Sequence, residues 1–195
     1  MLTEKKRKLY LFAISILMNL LFFLAAYFLK LPVWLDTTGT IYISVLLFFP
    51  AGFVVGLINN TILSLFFFGF NSISYYIISA AVAFTAGICA KKCKKHRMKF
   101  LILLSSSIFF VSILLAVPLT FIVDKGIPSD FWGNRLYFQF IDMGMAGYLS
   151  TILSVSIVKF IDVIISIALV VLIYILTPLK LKKGDNIVSQ KVGES

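Results

Sequence analysis

Apolar residues in this chain come in long runs rather than in the two-sided rhythm of a soluble helix. The runs are Leu9–Leu29, Ile41–Phe70, Ser74–Ala90, Phe100–Val123 and a last one ending at Thr177. A helix that crosses a bilayer needs roughly 20 apolar residues, and each of these runs approaches or exceeds that length. Two are ambiguous. The run through Phe70 holds Pro50-Ala51-Gly52 in its interior. Proline cannot continue a helix from within, but it can open the next one, because a first turn has no use for its missing N–H. The stretch from Tyr137 to Thr177 is too long for one crossing. Its first part, Tyr137–Gly147, therefore reads as an outer loop or interfacial helix, and Tyr148–Thr177 as the last span.

The cationic residues decide the count. Fourteen of the eighteen Lys and Arg residues fall in three clusters: Lys5–Lys8, six residues within Lys91–Lys99, and Lys180, Lys182, Lys183 and Lys191. Cationic segments resist translocation, so all three clusters belong on the cytoplasmic side. From an inside N-terminus, an even number of crossings then separates Thr38 from Phe70. Two short helices joined at Pro50 meet that condition, and one long kinked helix does not. The expected fold is an all-α bundle of six transmembrane helices with both termini cytoplasmic. The helices span about 9–29, 38–49, 51–70, 74–90, 100–123 and 148–177. Residues 1–183 form one membrane domain, and 184–195 form a flexible cytoplasmic tail. Pro118 is expected to kink the fifth helix near its outer end. The first run is longer than a signal-peptide core and lacks a small-x-small cleavage pattern, so it reads as an uncleaved helix.

Composition agrees with this picture and excludes others. Hydrophobic residues make up 61% of the 195-residue chain and charged residues 13%. That leaves too little polar surface for a soluble domain of this size. The net charge of +10 sits in clusters that flank apolar runs, which is topological charge rather than a nucleic-acid surface. Cys89, Cys93 and the single His96 read as reduced thiols and a loop histidine, too few for a metal site. There is no phosphate-binding loop, no His-Glu-x-x-His and no serine–histidine set, so neither ATP hydrolysis nor catalysis is expected of the chain itself. No cofactor is implied.

The polar residues inside the apolar runs are the informative ones. Gly52, Gly56, Asn60 and Ser64 stand four apart, as one small and polar face. Ser79, Ala83 and Gly87 repeat the theme. Such faces let helices approach closely. Lys159 and Asp162 lie within the last span and share a face with Ser156 and Ser166. Ionisable groups are costly in lipid and face a partner or a cavity. The pair is either a structural ion pair or part of a ligand site open to the outside. Asn59 and Asn60 lie at a similar depth. Trp34 and Asp36 stand in the loop after the first helix, where Asp36 can also cap the second helix. Trp132 and Asp142 stand in the long outer loop, where a tryptophan also serves as an interfacial anchor. Together these groups suit a small polar solute such as a heterocycle.

Three segments carry a resemblance. Leu31-Pro32-Val33-Trp34-Leu35-Asp36-Thr37-Thr38-Gly39-Thr40, the turn Phe49-Pro50-Ala51-Gly52 running on to Asn59-Asn60, and Lys159-Phe160-Ile161-Asp162 through Ser166 to Thr177-Pro178 resemble the substrate-binding S components of energy-coupling factor (ECF) transporters. Their order and spacing match over nearly the whole chain. The resemblance implies a pocket in the outer half of the membrane, closed by the loops after the first and fifth helices. It also implies a vitamin or similar micronutrient as ligand, a separate transmembrane coupling protein and two ABC-type ATPases as partners, and a bacterial plasma membrane. Asn59, Asn60, Lys159 and Asp162 would hold the ligand, with Trp34, Asp36 and Trp132 at the lid, and Asp142 of the outer loop is a further substrate-binding candidate. The Ala-x-x-x-Ala found on the first helix of many members is absent, since Leu17 follows Ala13 and Leu29 follows Ala25. A membrane sensor or interaction subunit without transport activity is the alternative reading.

Overall fold

The computed structural model describes residues 4–92, 97–178 and Leu181. Cys93, His96 and all four lysines of the last basic cluster lie outside these residues, as does the tail 184–195. Among the described residues the regular structure is helical, with no strand. The helices are α1 (Glu4–Phe28), α2 (Thr38–Leu47), α3 (Phe49–Leu63), α4 (Tyr76–Lys92), α5 (Arg97–Val123), α6 (Phe131–Asp142) and α7 (Gly147–Leu176). A π-helical turn, Ser64–Phe68, extends α3, and a 3-10 turn, Phe70–Tyr75, leads into α4.

Five helical stretches are long and apolar enough to cross a membrane: Glu4–Phe28, Phe49–Phe68, Phe70–Lys92, Lys99–Val123 and Gly147–Leu176. Leu9, Leu17, Leu21, Ile102, Leu114, Phe160 and Leu172 are exposed along them. Apolar surface that extensive suits a lipid-facing belt and would aggregate in water. The chain is thus an all-α membrane protein. The sixth apolar helix, α2, has only ten residues, about 15 Å of rise.

That short helix is the centre of the bundle. Its residues Thr38 through Ser44 are all buried, as expected of a helix apolar on every side. Ile41 and Tyr42 belong to one buried core with Leu11 of α1, Val82 of α4, Leu104 and Ile108 of α5, and Ile167 of α7. Two glycines let neighbours come this close. A Cβ on Gly39 would collide with the Ser15 carbonyl of α1, and one on Gly52 with Ser44 Oγ of α2 and with Ala83 of α4, at 2.8 Å from its Cβ. The stepped face Gly52–Gly56–Asn60 therefore serves helix packing over its first two steps.

The break between α2 and α3 falls at Phe48, not at Pro50. Phe48 takes φ 80°, and Pro50 sits in the first turn of α3, where its missing N–H costs nothing. The Lys91 ammonium lies 3.4 Å from the Phe48 ring centroid. This turn therefore lies at the same end of the bundle as Lys91 and Lys92. Pro118 lies inside α5, which continues to Val123. The segment read as an outer loop or interfacial helix contains α6. Asp130 opens that helix, its Oδ1 accepting from Gly133 N at 2.7 Å.

Candidate functional site

The segment 29–37 is exposed only over 29–31, and Val33, Leu35 and Thr37 are buried. It turns back into the bundle, so that α2 starts deep inside it. Asp162 is the sixteenth of the thirty residues of α7, at the middle of the helix. Its Oδ1 accepts from Trp34 N at 2.9 Å and from Leu35 N at 2.8 Å. One turn later, Ser166 Oγ accepts from Thr38 Oγ1 at 3.4 Å, and the same hydroxyl reaches the Leu35 carbonyl at 3.1 Å. Non-helical backbone at the depth of a spanning helix survives only where protein groups satisfy its N–H and C=O. Asp162 supplies that satisfaction for two donors at once. Leu35 takes φ 55° there, a left-handed conformation that costs an L-residue about 1–2 kcal/mol. The loop holds it because the carboxylate fixes its N–H from the far side.

Other residues support the loop. Asn59, fully buried on α3, donates from Nδ2 to the Asp36 carbonyl at 3.1 Å. Asn19, fully buried on α1, accepts from Gly39 N at 2.6 Å through Oδ1 and donates to Thr40 Oγ1 at 3.0 Å. It thereby satisfies one of the free donors in the first turn of α2. Asp36 does not fill that role. The N-cap position is Thr37, without a side-chain bond, and Asp36 Oδ1 is buried with no hydrogen-bond partner.

Above the loop lies a cavity of about 320 Å³. Trp34, Asp36 and Thr37 form one wall, and Asn60, Leu63, Ser64 and Phe68 of α3 and its extension form another. Asn71, Ser72 and Tyr75 close it from the 3-10 turn, Thr120 and Asp124 from the end of α5, and Lys159 from α7. Lys159 Nζ stands 3.5 Å from Asp162 Oδ2 and 6.0 Å from the Trp34 ring centroid. On its other side, Trp34 stacks against Phe23 (centroids 6.4 Å) and meets Phe68 at 5.3 Å. Asn60 Nδ2 is committed to the Gly56 carbonyl and Ser79 Oγ, at 2.9 and 2.8 Å. Tyr75 donates its hydroxyl to Asp124 Oδ2. The second loop, 128–130, reaches the same cavity through Pro128, Ser129 and Asp130. Trp132 Nε1 donates to the Lys30 carbonyl at 2.6 Å and so ties the two loops together.

The eight residues singled out from the sequence thus fall into three positions. Trp34, Asp36, Asn60 and Lys159 line the cavity. Asp162, Asn59 and Trp132 hold its walls from behind. Asp142 is the exposed last residue of α6 and lines no part of the cavity. Asp124, Tyr75, Ser72 and Thr120 line it without having been singled out. They stand at helix ends, where polar residues are ordinary, and only the approach of α5 to the 3-10 turn assembles them. Asn19 carried a signal, an amide inside an otherwise apolar run.

Electrostatically the cavity is acidic. Among the described residues, Asp36, Asp124 and Asp130 face it with a single cation, Lys159. Burial pushes the Asp36 carboxyl up to about 6, with Lys159 pulling the other way and Asp162 adding to the rise. Burial also raises the Asp130 carboxyl, opposed by the Gly133 N–H and by Lys159. Among the described residues, no three of the histidine, cysteine and acidic side chains converge as metal ligands. Compared with known proteins, the chain matches no family model, no curated protein and no solved structure.

Proposed function

We propose that this chain is the solute-binding membrane subunit, or S component, of an ECF-type importer. In this reading it captures a vitamin or other micronutrient from outside the cell. It delivers the solute together with a separate coupling protein and two ABC-type ATPases. The chain itself is a binding protein and not an enzyme. It sits in a bacterial plasma membrane and crosses it six times, with α2 as the short crossing. Both termini and the Lys91–Lys99 segment are cytoplasmic, so the cavity opens outward. The lipid bilayer and the two kinds of protein subunit are its partners, and nucleic acid is not.

One observation carries the reading: a loop folded into a membrane bundle and clamped on Asp162, with a cavity of solute size on its upper face. A purely structural ion pair between Lys159 and Asp162 would need neither the loop nor the cavity. Cavities of about 300–1,000 Å³ with a few convergent polar groups are the usual form of a small-molecule site. The cationic excess at the opposite end agrees with an outward-facing cavity.

Affinity purification of the tagged chain from its native membrane tests the assignment. Recovery of an ATPase pair with a membrane coupling protein is the expected result. Recovery of a kinase or other regulator in their place would favour a sensor subunit instead.

A further inference from the structure

The cavity's charge inventory says more about its occupant than its shape does. Three carboxylates, Asp36, Asp124 and Asp130, line the space, and among the described residues Lys159 is its only lining cation. Lys159 is already paired with Asp162, 3.5 Å away. One ammonium, shared among Asp162, Asp36 and Asp130, faces four carboxylates when Asp162 is counted with the three that line the cavity, which leaves the wall with an acidic excess. Two of them have partial support, Asp124 from the Tyr75 hydroxyl and Asp130 from the Gly133 N–H. Asp36 has none at Oδ1, which is sealed from solvent and unpaired. A buried carboxylate oxygen without a donor is costly, so a ligand that supplies a donor or a positive charge there removes a penalty already present. The aromatic wall points the same way. Trp34, Phe68 and Tyr75 line the same cavity as the carboxylates, Trp34 already has an ammonium, that of Lys159, 6.0 Å from its centroid, and cations are drawn to aromatic faces.

From these observations we infer that the solute is an organic cation with a planar ring, its charged or N–H-donating end at Asp36 and its ring against Trp34. This rests on the cavity being a solute site, as proposed above. It is independent of which proteins the chain assembles with. A metal ion does not fit as well, because no three acidic, histidine or cysteine groups converge among the described residues.

Equilibrium dialysis of the purified protein in nanodiscs, at pH 7.5, tests the inference with three probes of one size. They are N-methylated nicotinamide, a permanent cation, nicotinamide, which is neutral, and nicotinate, an anion. The cation is expected to bind at least about tenfold more tightly than the neutral probe, which corresponds to one pKa unit's worth of interaction. Nicotinate is expected to show no binding. Asp36→Asn keeps the shape of the side chain and should remove most of the preference. Asp124→Asn gives a second reading if the first variant folds poorly. Equal binding of the three probes, tighter binding of nicotinate, or no binding of any of them at millimolar concentration overturns the inference. So does native mass spectrometry showing a co-purified solute that is neutral or anionic. None of these results touches the partner assignment. Failure to recover an ATPase pair would remove that assignment while leaving a cation preference intact.

Discussion

At the scale of single residues, the charged groups of this protein divide into one that builds and one that waits. Asp162 spends its Oδ1 on two loop N–H groups, and charge-assisted bonds of this kind contribute about 1.5–3 kcal/mol each. Asp162→Ala should therefore release the loop as well as leave Lys159 without its partner. We expect loss of solute binding, and a fall in thermal stability that Asp162→Asn, which keeps an acceptor at Oδ1, largely avoids. Thermal unfolding in detergent alongside binding distinguishes the two. If Asp162→Ala binds solute normally, the loop does not depend on the Asp162 carboxylate for its binding conformation.

Asp36 is the waiting group. Its carboxyl is raised from 3.8 to about 6, with burial as the main cause. The folded state thus holds this proton more tightly than the unfolded chain does. The resulting stabilisation is fully present below about pH 4 and is lost as pH rises through about 6. The groups that act on it are Lys159, which lowers the value, and Asp162, which raises it. Asp36→Asn should accordingly raise the midpoint of unfolding of the ligand-free protein at pH 7.5 while making little difference at pH 4. Parallel melts at the two pH values read this directly, and an unchanged midpoint at pH 7.5 would remove the case for a strained carboxylate.

The helices and loops show how a ten-residue helix holds a place in a membrane bundle. The chain between α1 and α2 does the descending, and α2 begins where Asn19 and Ser166 meet it. Asn19→Ala removes the acceptor for Gly39 N and the donor to Thr40 together. A lost helix cap costs about 0.5–2 kcal/mol, and a buried orphan donor adds about 1–3 kcal/mol. Asn19→Asp retains the acceptor, so it should recover part of the loss in the same melting assay. The loops themselves are joined by the Trp132 indole and the Lys30 carbonyl. Trp132→Phe keeps the ring and removes the donor. It should speed solute release several-fold with little change in melting temperature, as measured by rapid filtration of loaded protein. An unchanged release rate would mean that the lid is held elsewhere.

Taken whole, the molecule is polarised. One end carries Lys5, Lys6, Lys8, Lys91 and Lys92. The cavity, with its carboxylates, opens toward the other. With Cys89 and Cys93 replaced by serine, single cysteines placed at Lys125 and at Lys92 should report this in intact cells. An impermeant maleimide is expected to label position 125 and to leave 92 unlabelled until the membrane is opened. Labelling of position 92 from the medium would invert the topology and turn the cavity inward.

The sequence by itself determined the class of fold, the approximate helices and the turn near Pro50, because these follow from local terms: apolar run length, proline's missing donor and the placement of cations. It also marked Lys159, Asp162, Asn59 and Asn60 as anomalous, since polar groups inside apolar runs are conspicuous without coordinates. Only the tertiary structure decided what each of them does. Whether Asp162 meets a ligand or a loop depends on which backbone donors arrive within hydrogen-bond reach, and those come from residues 127 and 128 positions away in the chain. The same holds for Asp124 and Tyr75, ordinary at their helix ends and brought together by helix packing. Periodicity and charge are properties of neighbours in the chain, whereas a binding cavity is a property of neighbours in space.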